Sequence, residues 1–452
     1  MAAFADLAGP AWLDASRPVP DIRTSLPGPL ASAVYQRDQR ITSPSLPRAY
    51  PLMPQRGSGA VIEDVDGNLF LDFNAGIAVT STGHCHPTVV AAVQSQAADL
   101  LHYSASDFYL PVYSQMCEAL AATAPMSGPV RVFLTNSGAE AVEGALKLAR
   151  FATGRPNVIS FFGAFHGRTY GAVTLTVSKA KYHQGFGPLL PGVFHAPYAC
   201  NQIDPASGAR SHDPAETFDY IENVLFRYET PASEVGAIFV EPIQGEGGYI
   251  MPPAEWLVRL RELCTRHGIL LVADEVQSGM GRTGRMWAVE HADVEPDIVI
   301  SAKGLASGLP LGAFMARADV MESWPAGAHG STYGGSPIPC AAGIATLEVI
   351  KSGKLLANAA EQGEFLISGL RELQQKYPGF ITDVRGIGLM IGVEFRTGED
   401  AEEVQRAAFE RGLLVLECGE RSIRISPPLV VSRGQASSGL QLLGEAMHAV
   451  AR

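Results

Sequence analysis

Lys303 closes the apolar run DIVISA and is followed by the small residues Gly304, Ala306 and Gly308. Lysines are mostly solvated. One set at the end of an apolar run among small residues is placed to be a desolvated amine, the state a lysine needs to act as a Schiff-base nucleophile. Other runs end in groups of the same promise. ILLVADEVQSG ends in Asp274, Glu275 and Gln277, and GAIFVEPIQGEGG ends in Glu241, which either faces a site or caps a neighbouring loop. VFLTNSGAEAVEGALKLAR reads as strand, Ser-Gly turn and helix, with Ser137 and Glu140 spaced as a capping box. The same turn can seat an anion: Gly138 lets it approach, and the amides of Gly138 and Ala139 point at it from the positive helix end. FFGAFHGRTYG sets Phe165, His166 and Arg168 just after a strand. That is an aromatic face for a planar ring with a cation for a carboxylate, or else a turn with a core phenylalanine. In SIRISPPL, Arg424 lies between Ile423 and Ile425. It either holds a carboxylate in a cleft with its fork of donors or makes a structural salt bridge, whereas Arg421 reads as solvated. GSTYGGSP carries Thr332, by itself part of a glycine turn, and a further hydroxyl if a phosphate is near.

Two other motifs compete for the chemistry. Gly279, Gly281 and Gly284 fall into the spacing G-x-G-x-x-G. A dinucleotide turn needs its first glycine directly at the strand end, with a helix opening behind it. Here Asp274 to Ser278 intervene and GRTGRMWAVEH is a weak helix, so the match reads as a glycine-rich loop. His84 and His86 lack further ligands at useful spacing, and no metal is expected. No nucleotide P-loop pattern is present. A lysine, a phosphate seat, an aromatic face and a strand-end aspartate together suit pyridoxal phosphate, whose pyridinium nitrogen requires a carboxylate partner.

The elements that must carry these groups follow from the pattern of apolar runs. Helices are expected over Pro87–His102, Tyr113–Thr123, Glu140–Thr153 and Pro253–His267, and strands at VRVFLTN, NVISFFG, AVTLT, GAIFVEP, ILLVADE and DIVISA. Short apolar runs between helices predict an α/β fold with a mainly parallel sheet covered on both faces. Before it come a proline-rich arm over residues 1–55, with a short helix near Pro29–Asp38, and the hairpin GAVIEDVDGNLFLDF. After Pro337 a long helix leads to FITDVRGIGLMIGVEF, a helix near Glu402–Arg411, LLVLEC and SIRISPPL, a smaller α+β domain. The expected division is an arm and small-domain segment over residues 1–86, a large cofactor-binding domain over 87–337 and a C-terminal small domain over 338–452.

With 452 residues the chain is long enough for this. Its net charge of −12 makes nucleic acid and anionic membrane poor partners, so an anionic ligand must be held by local devices. Six scattered cysteines without a CxxC pair, no convincing signal peptide and no membrane span point to a reduced, cytoplasmic protein.

From GAVIEDVDGNLFLDFNAGIAVTSTGHCHP to SIRISPPL the chain resembles the class III aminotransferases of the fold-type I pyridoxal-phosphate enzymes. NSGAEA, FHGRT, EPIQGEGG, DEVQSGMGRTG, AKGLASGLPLGA and STYGG occur in that family's order. The resemblance implies that Lys303 links covalently to the cofactor and shuttles a proton, that Asp274 pairs with the pyridine nitrogen, and that Gln277 reaches the phenolic oxygen. Phe165, with His166 beside it, and Val276 would flank the ring, and Ser137, Gly138 and Ala139 would hold the phosphate. Thr332 would contribute from the other subunit of a homodimer or dimer of dimers. Glu241 would mask Arg424 until an α-carboxylate arrives, Arg168 would take the distal carboxylate, and Ile77 would border the substrate. The set is most like that of 4-aminobutyrate aminotransferases using 2-oxoglutarate. Acetylornithine and ornithine enzymes are relatives, and an amino-acid racemase branch shares the ending around Arg424.

Overall fold

In a computed structural model, which describes residues 12–13, 16–199, 215–352 and 354–451, the apolar runs lie side by side. Seven strands form one sheet: β1 (Val130–Thr135), β2 (Asn157–Phe161), β3 (Val193–Ala196), β4 (Val235–Val240), β5 (Leu270–Asp274), β6 (Ile298–Ser301) and β7 (Gly312–Arg317). Their order across the sheet is β1-β7-β6-β5-β4-β2-β3. From β6 to β3 each neighbour is parallel, while β7 runs against both β6 and β1. β1 therefore points the same way as β6, and its end lies on the same edge of the sheet.

Every residue of β4 and β6 is buried, because helices cover both faces, which is why these strands read as almost continuous apolar runs, Ser301 being the one polar residue. Helix α1 (Gly138–Thr153) packs Val142, Ala145 and Leu148 with Phe239, Val272 and Ile300 on one face. Helix α2 (Ala254–His267) packs Trp256 and Leu260 with Ile159, Ile238 and Leu271 on the other. The other expected helices form as Pro87–Asp99 and Pro111–Ala121, and the arm helix as Pro29–Ile41. Residues 1–11 of the arm, and Cys200, lie outside the described residues.

The run AVTLT, expected as a strand, belongs to the helix Tyr170–Leu175. A run this short carries no decisive period, and its side-chain partners decide instead. Glu143 accepts hydrogen bonds from the amides of Gly171 and Ala172 at 2.8 and 3.2 Å, and the Thr174 hydroxyl donates to the Tyr170 carbonyl at 2.6 Å. The first-turn amides and the β-branched side chain are thus satisfied within the helix. Strands β3 and β7 are not among the expected runs.

The hairpin forms as expected, with Val61 opposite Leu71 and Gly67 at φ 82° in its turn. Both strands are buried throughout, because Leu413–Leu414 adds a parallel strand and Phe409 stacks on Phe70 at 5.5 Å. A second four-stranded sheet joins Ile381–Ile387, Met390–Phe395, Ser422–Ile425 and Leu416–Cys418 in that order. Among the described residues no helix is long and apolar enough to cross a membrane.

The glycine loop after β5 leads into turns and then only a short 3-10 helix, Ala288–Ala292, so no helix N-terminus faces its glycines. Gly281 and Gly284 adopt φ of 86° and 87°, and a Cβ on Gly281 would stand 2.9 Å from Leu356 and from Leu429. Arg282 between them is buried and donates to the carbonyls of Leu389 and Pro427. The glycines serve a close approach between the sheet edge and the C-terminal elements.

Candidate active site

Ligands of open α/β sheets sit beyond the carboxyl ends of the strands. At that edge a cavity of about 430 Å³ is lined by Ser137, Gly138, Ala139, Phe165, His166, Arg168, Glu241, Asp274, Val276, Gln277 and Lys303. Each follows one of β1, β2, β4, β5 or β6, so residues more than 160 positions apart in the chain meet on one side of the sheet.

Asp274 is 4% exposed. One carboxylate oxygen is 2.7 Å from His166 Nδ1 and the other accepts from the Val276 amide at 3.0 Å. The His166 amide in turn donates to the Thr176 hydroxyl at 2.8 Å. Burial alone would depress the His166 pKa. The hydrogen bond and charge of Asp274 outweigh it, and the pKa is raised. The imidazole therefore presents N–H to the carboxylate and braces it.

Glu275, the next residue, points elsewhere. It is fully buried and accepts from the Val289 amide at 2.9 Å and from the Ser278 hydroxyl. Burial raises its pKa to about 7. Of the two adjacent carboxylates, one serves the cavity and one pins the loop that follows. Glu275→Ala should leave two buried donors unsatisfied and cost about 2–4 kcal/mol. Denaturant unfolding checks this, and a loss below about 0.5 kcal/mol, the size of an ordinary surface change, would remove the structural role.

Lys303 opens the short helical turn Lys303–Ala306 with φ 44°, a left-handed backbone uncommon outside glycine. Its amine has no hydrogen-bond or ion-pair partner among the described residues. Burial lowers its pKa to about 8. The Arg424 guanidinium adds to that shift, while Asp274, Glu241 and Glu246 oppose it.

Opposite lies the N-terminus of α1. Ser137 is the N-cap, and its hydroxyl accepts from the Glu140 amide at 3.2 Å. The expected capping box is only half made. Glu140 reaches past the cap to the Asn136 amide at 2.9 Å and the Asn136 side chain at 2.8 Å. The amides of Gly138 and Ala139, in the first helical turn, face the cavity without an intrahelical acceptor. A Cβ on Gly138 would come within 3.0 Å of Val276.

A class-III aminotransferase family model matches residues 44–447. The chain belongs to the class-III aminotransferases. It is 38% identical over 442 residues to the alanine/serine racemase of Pyrococcus horikoshii, covering 95% of this chain and 92% of that protein. It is likewise 38% identical over 423 residues to the 4-aminobutyrate aminotransferase GabT of Escherichia coli, covering 91% and 97%. The ornithine aminotransferase structure from Toxoplasma gondii superposes with a TM-score of 0.83 at 33% identity, covering 93% and 95%. The fold is thus that of the fold-type I enzymes, as the sheet order and the sequence resemblance led one to expect.

The class-III chain departs from the expected gate. Both Glu241 oxygens are engaged by the backbone, accepting from the Phe165 and Gly245 amides at 2.9 Å each, and burial raises its pKa to about 7. Arg424 is buried and pairs instead with Glu246, at 3.3 Å. Arg421 is not simply solvated, since it pairs with Glu394 at 2.9 Å. Arg168 is exposed and lies 4.2 Å from the Tyr182 ring centroid, with no carboxylate partner among the described residues.

Arg424, Ile77 and Thr332 do not line the cavity of this chain. Ile77 lies in a left-handed turn, Ala75–Ala78, that leads to the cavity residue Val79. Thr332 is exposed on the outside. His84 binds Asp72 at 2.7 Å and His86 caps the helix Pro87–Asp99. Glu246, Tyr182 and Lys179 do not line the cavity either, but they surround Arg424 and Arg168 and motif reading passed over them. The one sequence signal for Glu246 is a second carboxylate inside the glycine turn that follows Glu241.

Proposed function

We propose that this chain is a pyridoxal-phosphate-dependent transaminase. It would move the amino group of an ω-amino acid, 4-aminobutyrate first, to 2-oxoglutarate, giving an aldehyde and L-glutamate. The observation that carries the reading is the meeting in one cavity of an unpartnered lysine amine, an aspartate braced by a buried histidine, and the open amides of a helix N-terminus. These residues fit the cofactor. The Gly138 and Ala139 amides and the Ser137 hydroxyl suit its phosphate, and Asp274 suits its ring nitrogen. Phe165 and Val276 line the cavity as apolar walls for its two faces. Gln277 offers a polar group to its phenolic oxygen, and its Oε1 is buried with no partner of its own. Lys303 is the amine that would hold it. When bound, the cofactor supplies an electron sink for charge developing on the substrate carbon.

Lys303 takes the proton from the amine-bearing carbon as base and returns it as acid. With a pKa near 8, about a tenth of the amine is neutral at pH 7, enough to act as base. Arg168 holds the carboxylate that donor and acceptor share, and Arg424 holds the α-carboxylate that 2-oxoglutarate has and 4-aminobutyrate lacks. Ile77 borders the substrate.

Thr332 would serve a partner subunit. In support, it lies beside exposed Tyr333, and Leu101, Phe108 and Tyr109 add to the exposed apolar surface of this chain, suited to a second copy in a homodimer or dimer of dimers. The cytoplasm is the proposed setting, and the divisions near 87 and 337 are the proposed domain limits.

The test is the visible spectrum of the purified protein on addition of 4-aminobutyrate without a keto acid. Stoichiometric conversion of the cofactor to its amine form is the expected result. The similarity to a racemase supports one rival. In that case the spectrum would not convert, and L-alanine or L-serine would lose chirality with no keto acid present.

A further inference from the structure

Ala75, Gly76, Ile77 and Ala78 adopt left-handed backbone in succession, at φ 49°, 62°, 69° and 57°. The turn they make ends at Val79, which lines the cavity. Only Gly76 takes that conformation without steric cost, and isoleucine, branched at Cβ, is the least suited to it. Such a turn persists only where its surroundings over-determine it. Here the segment 73–83 leaves and rejoins one short stretch of chain. The Asp72 amide donates to the Ala60 carbonyl at 2.8 Å, and the His84 amide and carbonyl both pair with Gly59, at 2.8 and 3.0 Å. At that base the side chains meet. His84 Nε2 donates to one Asp72 oxygen at 2.7 Å. The other oxygen accepts from the Asn74 and Ala75 amides at 2.8 and 2.9 Å, at the entry to the turn. A Cβ on Gly57 would come within 2.8 Å of His84 Cβ, so the histidine is packed close against the strand. Beyond the turn, the Thr82 amide and hydroxyl meet the Ser307 hydroxyl at 3.0 and 2.6 Å. A Cβ on Gly304 would stand 2.5 Å from Ser81 Oγ. The far side of the segment thus rests on the loop that begins at Lys303.

We propose that Asp72 and His84 form a clamp that holds the left-handed turn 75–78 in place as a wall of the substrate site. Both are positioning residues: they act through Ile77 and Val79. The inference rests on the transaminase reading for what the wall does, which is to fit the chain of the amino donor. The Asp72 carboxylate fixes the first amides of the turn, and the His84 ring fixes the carboxylate, whose side chain is 4% exposed. Without the ring, Asp72 loses its one side-chain donor, and nothing then opposes the return of Ala75, Ile77 and Ala78 to ordinary negative φ. Ile77 and Val79 would shift with them. Lys303, Asp274 and the phosphate seat would stay, because they are carried by β6, β5 and α1. The two histidines once comparable to a metal pair therefore have separate tasks. His86 caps the helix Pro87–Asp99, and His84 closes the loop before it.

The experiment joins two measurements on the cofactor-loaded protein. Hydrogen exchange of the Val79 and Thr80 amides, which donate to the Ala75 carbonyl at 2.8 and 3.0 Å, reads the turn with no substrate present. His84→Phe keeps a ring and removes the donor. It should speed that exchange about tenfold, the order of one lost hydrogen bond. His84→Gln, which can still donate to Asp72, should restore most of the protection. Turnover of 4-aminobutyrate then reads the wall. In His84→Phe its KM should rise about tenfold, with kcat within about threefold and the cofactor absorption band unmoved. With Ile77→Ala already in place, His84→Phe should add little, because both changes act through one side chain. Exchange as slow in His84→Phe as in the parent protein overturns the clamp. A KM rise of the same size with and without Ile77, or a fall in kcat with a shifted band, overturns the positioning role. If His84→Phe does not fold, His84→Ala takes its place with the same expected results. Failure of 4-aminobutyrate to convert the cofactor of the parent protein would sink the transaminase reading, and the exchange result would still decide the clamp.

Discussion

Lys303→Met is expected to reduce turnover by at least about 10³-fold and, in the cofactor-free protein at pH 7, to raise stability. The two effects have one cause. In the fold the amine is drawn from 10.5 down to about 8, first by burial and then by Arg424. A base whose folded pKa lies below its unfolded value is destabilised in its charged form. Below pH 8 both states carry the proton and the full penalty applies. Between about 8 and 10.5 the unfolded chain binds more protons than the folded one, so stability rises with pH across that window. Methionine fills similar space without the charge and should stabilise by about 1–3 kcal/mol at pH 7. That figure is reduced from the full value because part of the side chain faces the cavity and is screened. The advantage should shrink as pH climbs from 8 to 10.5. The activity loss follows because, among the described residues, no other amine lines the cavity, and a positioned proton carrier contributes 10²–10⁴-fold, on the order of what is lost here, before any covalent role is added. Turnover within tenfold of the parent protein would remove Lys303 from the chemistry. An unchanged or lower apo stability would show that its amine is not desolvated.

Much of this site could be read from residues at strand ends. Asp274, Glu241 and Lys303 each follow a mainly apolar run, and such a run in a covered parallel sheet delivers its next residue to the ligand edge. The hairpin and the helix caps were legible for local reasons: Gly67 takes a positive φ, and Ser137 precedes a helical period. Where local signals balanced, the sequence was silent. AVTLT holds three β-branched residues in five, yet it is helical because Glu143, almost thirty positions earlier, satisfies its first amides. The division of labour between Asp274 and Glu275 depends on which face of β5 each leaves, and no motif states that. The partner of Arg424 depends on how a turn from the large sheet meets a strand of the C-terminal sheet, so Glu246 emerges only when both are placed. Gly279, Gly281 and Gly284 match a spacing whose usual physical cause, a helix opening at a phosphate, is absent around them, because their task is close packing.

Asp274→Asn should lower kcat by about 10²–10³-fold while the protein still folds and binds its cofactor. The carboxamide keeps the acceptor for the Val276 amide and the shape of the side chain, so packing is preserved. What is lost is the negative charge opposite the proposed ring nitrogen, and with it the bracing of His166. In the parent protein the hydrogen bond and charge of Asp274 raise the histidine pKa against burial. With asparagine, burial is no longer outweighed, the pKa falls, and the imidazole is neutral through the neutral range. The asparagine NH₂ can then donate to His166 Nδ1 only if the ring proton moves to Nε2, a buried nitrogen that has no partner in the parent protein. Nitrogen-15 NMR of the ring reads that change without reference to activity. A fall in kcat accompanied by the tautomer change places Asp274 and His166 in one device that fixes charge at the cavity floor. A fall without it leaves Asp274 acting on the ligand alone, and a kcat within about threefold of the parent, too small for an electrostatic group at a reacting centre, takes Asp274 out of the role. The same device explains why a transaminase site would bury a histidine behind an aspartate. The carboxylate must stay ionised in a place that disfavours charge, and a partner that donates only while Asp274 remains negative holds it in that state.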